Sequence, residues 1–412
     1  MYLRLAMFLQ AISETCDVLE LVHFAPPEKP GEPELSDSVF SDFWGAPVRV
    51  SRAPLNLGAR RMREKIRAPL DVRCRGEFRR YIGAFQSQAL TNILSRPADL
   101  IFAHRLPAMM SLLQVKSNLP PILFDMDDVD HLVKLRTARS AHSWRARARN
   151  MLEIPALLRA ETIGVRRAAK TFVCSEHDRQ RLSRSGIDVS RVASVANAVA
   201  IPPTQPPLVR EPAILFIGNY GYPPNAEAAQ ELVTQIWPLI RAQVPTARLV
   251  IAGASPERIA AFATRPAGVE FTGLVGDLAA LYAQIRLVCC PIRNGGGTRI
   301  KLIEAAGAGK PIVATAVAAE GLALEAGRDF LLCVHAEDIA SACVRLLRDD
   351  AAARRMANSA YLIASNHYSL ADVKTTIVRE VRCAAANASP AMAAAYPSCV
   401  AATTASPTWE TL

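Results

Sequence analysis

Two doubly wound α/β domains, each a parallel sheet covered by helices, form the architecture this sequence predicts. Three observations lead there. The chain has 412 residues, and a single core rarely grows beyond about 250–300. Short apolar runs alternate with helix-spaced segments in both halves. Between the halves, residues 200–212 read AIPPTQPPLVREP, with five prolines. Proline fixes φ and removes donors, so neither a helix nor a central strand survives there.

The expected boundaries follow: a first domain over 1–199, a linker over 200–212, a second domain over 213–383 and a disordered tail over 384–412. In the second domain, AILFIGN, ARLVIAG, VEFTG, RLVCCPI, PIVATA and DFLLCV read as strands, with the helices NAEAAQELVTQIWPLIRAQ, SPERIAAFA, DLAALYAQI and AEDIASACVRLLRD among them. Alternation of this kind, with short loops, means a parallel sheet buried on both faces. The first domain repeats it less cleanly, through DVLELVHFA, ADLIFAH, PPILFDMD, KTFVCS and RVASVAN. A long basic helix from about His131 is expected to break near Pro155. Two such domains imply a cleft between them. The tail is rich in Ala, Ser, Thr and Pro without an apolar period, a composition that favours disorder.

Composition narrows the functional classes. Half the residues are apolar and 6% aromatic, which is ordinary for a globular protein. No apolar run approaches the roughly 18 residues of a membrane span. The first residues are apolar but carry Arg4, Glu14, Asp17 and Glu20, unlike the clean core of a signal peptide. Nine scattered cysteines with no CxxC fit buried thiols in a reducing cytoplasm. The net charge is +10, with 31 Lys+Arg against 21 Asp+Glu up to residue 210 and 17 against 17 thereafter. The first half therefore presents a basic surface, suited to an anionic partner such as a membrane surface, nucleic acid or an acidic ligand.

One stretch, NGGGTRIKLIEAAGAGKP over 294–311, suggests phosphate. It is not a P-loop. That motif needs a glycine where Glu304 stands and Ser or Thr where Pro311 stands, and it lies between strand and helix. Here Gly309-Lys310 follows the helix, so Gly307 and Gly309 are expected to end it, with Lys310 at the carbonyl end. The other end is the expected ligand end. Glycines admit close backbone approach, and a helix start offers free N–H groups to phosphate. Thr298 is a candidate cap, Arg299 and Lys301 bring charge, and Glu304 shares a face with Lys301. A carboxylate there suits two sugar hydroxyls. The same residues also fit a plain Gly-rich turn, a cap and an ion pair.

A resemblance rests on ILFIGNYGYPPNAEAAQ, LVIAGASP, VEFTGLVGDLAALYAQ, PIRNGGGTRIKLIEAAGAGKPIVATAVAAEGL and LLCVHAEDIASACVRLLRDD. Over roughly 213–370 their order and spacing resemble the nucleotide-sugar domain of family-4-type retaining glycosyltransferases. ADLIFAHRLPAM, ILFDMDDVDH and FVCSEHDRQRL resemble the acceptor domain more weakly. The resemblance implies the GT-B fold of two Rossmann-like domains. It also implies transfer of a sugar from a nucleotide-diphosphate donor with retention, and no cofactor or essential metal.

Residue by residue, Glu304 matches the second glutamate of the family's E-x7-E motif, while Gly296 stands in place of the first. Gly296, Gly297 and Thr298 correspond to a Gly-rich variant whose backbone contacts sugar or phosphate. Gly218 and Asn225 would line the donor site, Gly273 would frame the base, and NYGYPPN lacks the usual diphosphate cation. The charge would come from Arg299, Lys301 or Arg293. His104 matches a histidine near the reacting sugar, so His104, Lys301 and Glu304 are the catalytic candidates. Asp125, Asp127 and Asp128 read as a cap-and-turn network rather than a metal site. The family's first strand and Gly-rich loop have no counterpart before the first helix, so the first sheet is expected to lack its usual first strand.

The partners implied are a nucleotide-sugar donor, a glycan or lipid-linked acceptor, and peripheral contact with an anionic membrane at the inner face, with no nucleic acid. The setting implied is surface polysaccharide assembly from the cytoplasm. Two other classes share some of these features. A GT-B nucleotide-sugar epimerase would need an acidic catalytic set. A basic nucleic-acid-binding or scaffold protein would bind nucleic acid in a steeply salt-dependent way.

Overall fold

The computed structural model describes residues 2–26, 41, 47–58, 62–141, 143–296, 299–388 and 399–403. It has two compact units, Met1–Val195 with Lys374–Leu412, and Ala196–Val373. Its strands, in chain order, are β1 (Leu19–Ala25), β2 (Val48–Pro54), β3 (Leu100–His104), β4 (Ile122–Asp125), β5 (Lys170–Val173) and β6 (Val192–Ser194). They continue with β7 (Ala213–Ile217), β8 (Arg248–Ala252), β9 (Val269–Gly273), β10 (Leu287–Cys290), β11 (Ile312–Ala314), β12 (Leu331–Leu332) and β13 (Cys399–Thr403).

The second unit holds a six-stranded sheet in the order β12-β11-β10-β7-β8-β9, with every pair parallel. Read from β9, this is the 3-2-1-4-5-6 order of dinucleotide folds. Its central strands are unbroken apolar runs because helices cover both faces. All of β10, including Cys289 and Cys290, is buried. The helices Pro223–Glu231, Ile300–Gly307 and Ala336–Arg348 pack apolar faces on it, among them Leu302, Ile303, Ile339 and Leu346. The proline-rich stretch packs on this unit. Ile201 and Leu208 join its core, and the Tyr361 hydroxyl donates to the Pro202 carbonyl at 2.5 Å. Prolines tolerate such an extended covering segment because they need no donor partner.

The first unit holds seven parallel strands in the order β2-β1-β13-β3-β4-β5-β6. The segment Cys399–Thr403, placed by the sequence reading in the tail, runs parallel to β1 and β3 and lies between them. Cys399 is opposite Leu19 and Leu100, and Thr403 is opposite His23 and His104. It is an inner strand, third of the seven. The helix Tyr2–Ser13 covers this sheet, its Phe8 ring 5.0 Å from Phe102 and 5.3 Å from Phe172.

The basic helical region differs from expectation. It forms two helices, Asp130–Arg139 and Trp144–Arg167, and the second runs through Pro155. The break comes instead before Ser143, whose side chain caps the second helix through the Ala146 amide at 3.2 Å. A proline strips one carbonyl of its donor. At this exposed position water can replace it.

Candidate functional site

In the order of the second sheet, β7 and β10 are neighbours whose connections leave in opposite directions. Open α/β sheets bind ligands beyond the carboxyl ends of the strands at such a point. Gly218 follows β7, and residues 291–299 follow β10.

Lys301, Asn225, Phe216 and Gly218 meet at this point, with Asn219 and Gly253 beside them. The Lys301 ammonium donates to Asn225 Oδ1 at 2.9 Å and lies 4.6 Å from the centre of the Phe216 ring. Asn225 is buried and donates to the Asn219 carbonyl at 2.8 Å. A Cβ on Gly218 would lie 2.9 Å from both Asn225 Nδ2 and Lys301 Nζ, so a side chain there has to displace them. Gly253, at φ +127°, approaches so closely that its Cβ would strike the Gly218 carbonyl oxygen at 2.0 Å. Gly218→Ala is therefore expected to push the lysine off Asn225 and cost about 1–3 kcal/mol, read as a lower melting temperature. An unchanged melting temperature would show that the packing has slack.

Burial pushes the Lys301 ammonium down to about 8, and the neighbouring Arg299 adds to that. Glu304, on the same helix, is half-buried. Burial raises its carboxyl above the ordinary range, against the pull of Lys301. The Tyr282 phenol, buried beside it, is held well above its own range by burial and by the Glu304 carboxylate. Glu304 is thus a half-buried carboxylate beside the Tyr282 hydroxyl, next to a lysine that can switch charge near pH 8.

Other expected residues fall differently. Arg299 is buried and turned back on its own loop, donating to the Gly296 carbonyl at 2.5 Å and the Asn294 carbonyl at 3.0 Å. Arg293 is forked onto Glu231 at 2.6–3.1 Å. Gly296 is buried, while Gly297 and Thr298 lie outside the described residues. Gly273 ends β9 at φ +69° and accepts from the Gly253 amide at 2.7 Å. The helix Ile300–Gly307 ends through Gly309, at φ +64°, which donates to the Ala306 carbonyl while Lys310 donates to Ala305. Gly307 is instead inside the last turn, where its Cβ would meet Ile201 at 3.1 Å.

His104 belongs to the first unit, at the end of β3. It is fully buried, and its Nδ1 lies 2.9 Å from Asp125 Oδ2 at the end of β4. Arg4 forks onto the same carboxylate at 2.6–3.1 Å and donates to the Val195 carbonyl at 2.8 Å. Burial alone would raise the Asp125 carboxyl, but Arg4 and His104 hold it below its ordinary range. An ionised Asp125 favours the Nδ1–H tautomer and leaves Nε2 as the acceptor. That nitrogen is buried with no hydrogen-bond partner among the described residues. Arg105 and Asp127, just past the two strand ends, have φ of +70° and +57°, and Arg105 pairs with Asp127 and Asp128 at 3.3 and 3.1 Å. Strained backbone of this sort gathers at functional sites. Sequence reasoning missed Arg4, Tyr282 and Gly253. Of these only Gly253 left a local signal, as the glycine closing LVIAG.

Residues 211–349 match the family described as Glycosyl transferases group 1. Comparison with curated proteins gives no match. Among solved structures, the chain is similar to sucrose-phosphate synthase from Thermosynechococcus elongatus, with a TM-score of 0.62 at 16% identity over 88% of this chain and 98% of that one. It is also similar to Anabaena HepE solved with UDP and glucose, with a TM-score of 0.59 at 14% identity over 89% and 99%. TarM gives a TM-score of 0.57 at 12% identity over 72% and 58%. At these identities the likeness is one of fold, and that fold is GT-B.

Proposed function

We infer that this chain, a glycosyltransferase of the GT-B fold, moves a sugar with retention from a nucleotide-diphosphate donor to a glycan or lipid-linked acceptor. The observation that carries the reading is the group at the end of β7 and β10, inside the region that matches the family. Gly218 lets Asn225 and Lys301 close on its backbone, Lys301 is anchored on Asn225, and Glu304 follows one turn later.

In this reading Glu304 accepts from the ribose hydroxyls of the donor. The start of the Ile300–Gly307 helix and Lys301 stabilise the charge that develops on the departing diphosphate, usually the largest catalytic contribution. Arg299 shapes the loop through the Gly296 and Asn294 carbonyls. Gly296, Gly297 and Thr298 offer backbone to the sugar or phosphate, and Gly273 frames the base. His104, held by Asp125 and Arg4, is the first-unit residue that the resemblance sets near the reacting sugar. The acceptor hydroxyl attacks from the face the diphosphate leaves, and that phosphate takes its proton.

The basic first half favours a lipid-linked or membrane-proximal acceptor in surface polysaccharide assembly, reached from the cytoplasmic side. No described helix is long and apolar enough to cross a membrane, so the contact proposed is peripheral.

Thermal denaturation with UDP-, GDP- and ADP-sugars tests this. A ligand at 100 times its Kd stabilises by about 2.7 kcal/mol, a shift of roughly 5–10 °C for a domain of this size. One base is expected to give it, and HepE, solved with UDP, makes UDP-glucose the first to try. No shift with any donor would overturn the reading. Turnover of the donor to an epimer without acceptor would favour the epimerase alternative.

A further inference from the structure

The helix Trp144–Arg167 contributes to the core only through its later turns, where Ala156, Leu157, Ala160 and Val165 are buried. Its first three turns pack along the helix Asp130–Arg139 and leave their other side open. Trp144 is 74% exposed, Met151 46% and Leu152 59%, and Ala148 and Pro155 are exposed as well. At 3.6 residues per turn these five fall within an arc of roughly 100°. Arg145 and Arg149 flank one edge of the arc and Arg147 the other, all exposed. The Arg145 guanidinium lies 5.4 Å from the centre of the Trp144 ring. The one carboxylate in these turns, Glu153, is on the opposite side, held by Arg75 at 3.1 Å and Lys134 at 2.9 Å.

We propose that this face lies in the surface of an anionic lipid bilayer, with Trp144, Met151 and Leu152 among the headgroups and Arg145, Arg147 and Arg149 on the phosphates. The proposal rests on the peripheral-membrane part of the reading above and gives it residues. An apolar stripe edged by arginines, with an indole at one end, is the pattern of a helix lying in the interface plane. Charge complementarity selects the occupant. A second copy of this chain would set arginines against arginines across the stripe. Nucleic acid would use the arginines but leave the Trp, Met and Leu side chains unexplained. A neutral apolar partner would leave the flanking charge unmatched. Each arginine near an anionic surface adds attraction that salt screens.

Flotation of the purified full chain with phosphatidylcholine vesicles, with and without 30 mol% phosphatidylglycerol, is the test. The chain is expected to float only with the anionic vesicles, and less at high salt. The triple variant Trp144→Gln, Met151→Gln, Leu152→Gln and the triple variant Arg145→Glu, Arg147→Glu, Arg149→Glu should each reduce the bound fraction at least tenfold, whereas Arg→Lys at the same three positions should retain most of it. All six residues are exposed, so the melting temperature and the donor-induced shift should not move in any variant.

Absence of flotation, or flotation untouched by both triple variants, overturns the proposal. So does a change in oligomeric state with the Gln variant, which would assign the stripe to a second copy. Flotation that fails while the donor shift persists sinks this inference and the peripheral contact it rests on, and leaves the sugar transfer standing; flotation that survives both triple variants sinks this inference alone. A missing donor shift with flotation intact sinks the transferase reading and leaves this face standing.

Discussion

Glu304→Ala is expected to weaken nucleotide-sugar binding by roughly 30- to 150-fold and to leave the fold intact. The size follows from the chemistry. A carboxylate that accepts from two hydroxyls contributes about 2–3 kcal/mol, and alanine returns none of it. The fold should survive because the packed side of this helix is Leu302, Ile303, Ala305 and Ala306. Burial already raises the Glu304 carboxyl, so its removal relieves a cost. Isothermal titration with the donor that stabilises the wild type measures the loss, and the melting temperature controls for folding. Unchanged affinity would make Glu304 a structural residue beside Tyr282.

Lys301→Met should act on turnover. Methionine keeps much of the length and apolar contact of the stem but cannot meet charge on a leaving diphosphate, a loss of about 10²- to 10³-fold in kcat. The pH dependence gives a second signature. Lysine carries its charge below its pKa, and burial brings that of Lys301 down to about 8. In the free enzyme the cation is present at pH 7 and lost as pH rises through about 8. The wild-type kcat/KM should therefore fall on the alkaline side near pH 8, and the methionine variant should lack that limb. The limb should weaken in kcat, because a bound diphosphate holds the proton on. A variant that keeps both the rate and the limb would remove Lys301 from the mechanism.

Much of this was legible in the sequence where the signal is local. Strands buried on both faces appear as unbroken apolar runs, so β7, β8 and β10 stand out in AILFIGN, ARLVIAG and RLVCCPI. β2 does not, because Arg49 and Arg52 interrupt VRVSRAP and face outward. Cys399–Thr403 lie in a composition that reads as tail, and only the gap between β1 and β3 gives the segment a partner. In the site, Gly218 and Asn225 could be placed because a strand end and a helix start locate them. The contact of Lys301 with Asn225, and that of Arg4 with Asp125, join residues far apart in the chain. No spacing rule reaches that far. Arg299 misleads for a related reason. Its charge suggests a ligand, but a flexible side chain next to free loop carbonyls can satisfy them instead.

The position of β13 bears on how the protein is made. The second unit, Ala196–Val373, is one continuous stretch and leaves the ribosome whole. The first unit is translated before it, yet the strand between β1 and β3 is translated after it. Until then β1 and β3 each have a strand edge with unpaired N–H and C=O groups, the condition that invites mispairing and chaperone capture. The second unit can thus be finished while the first sheet is still open. A ribosome that stops after residue 388 releases a chain whose six-stranded sheet has all its strands and whose other sheet lacks an inner one.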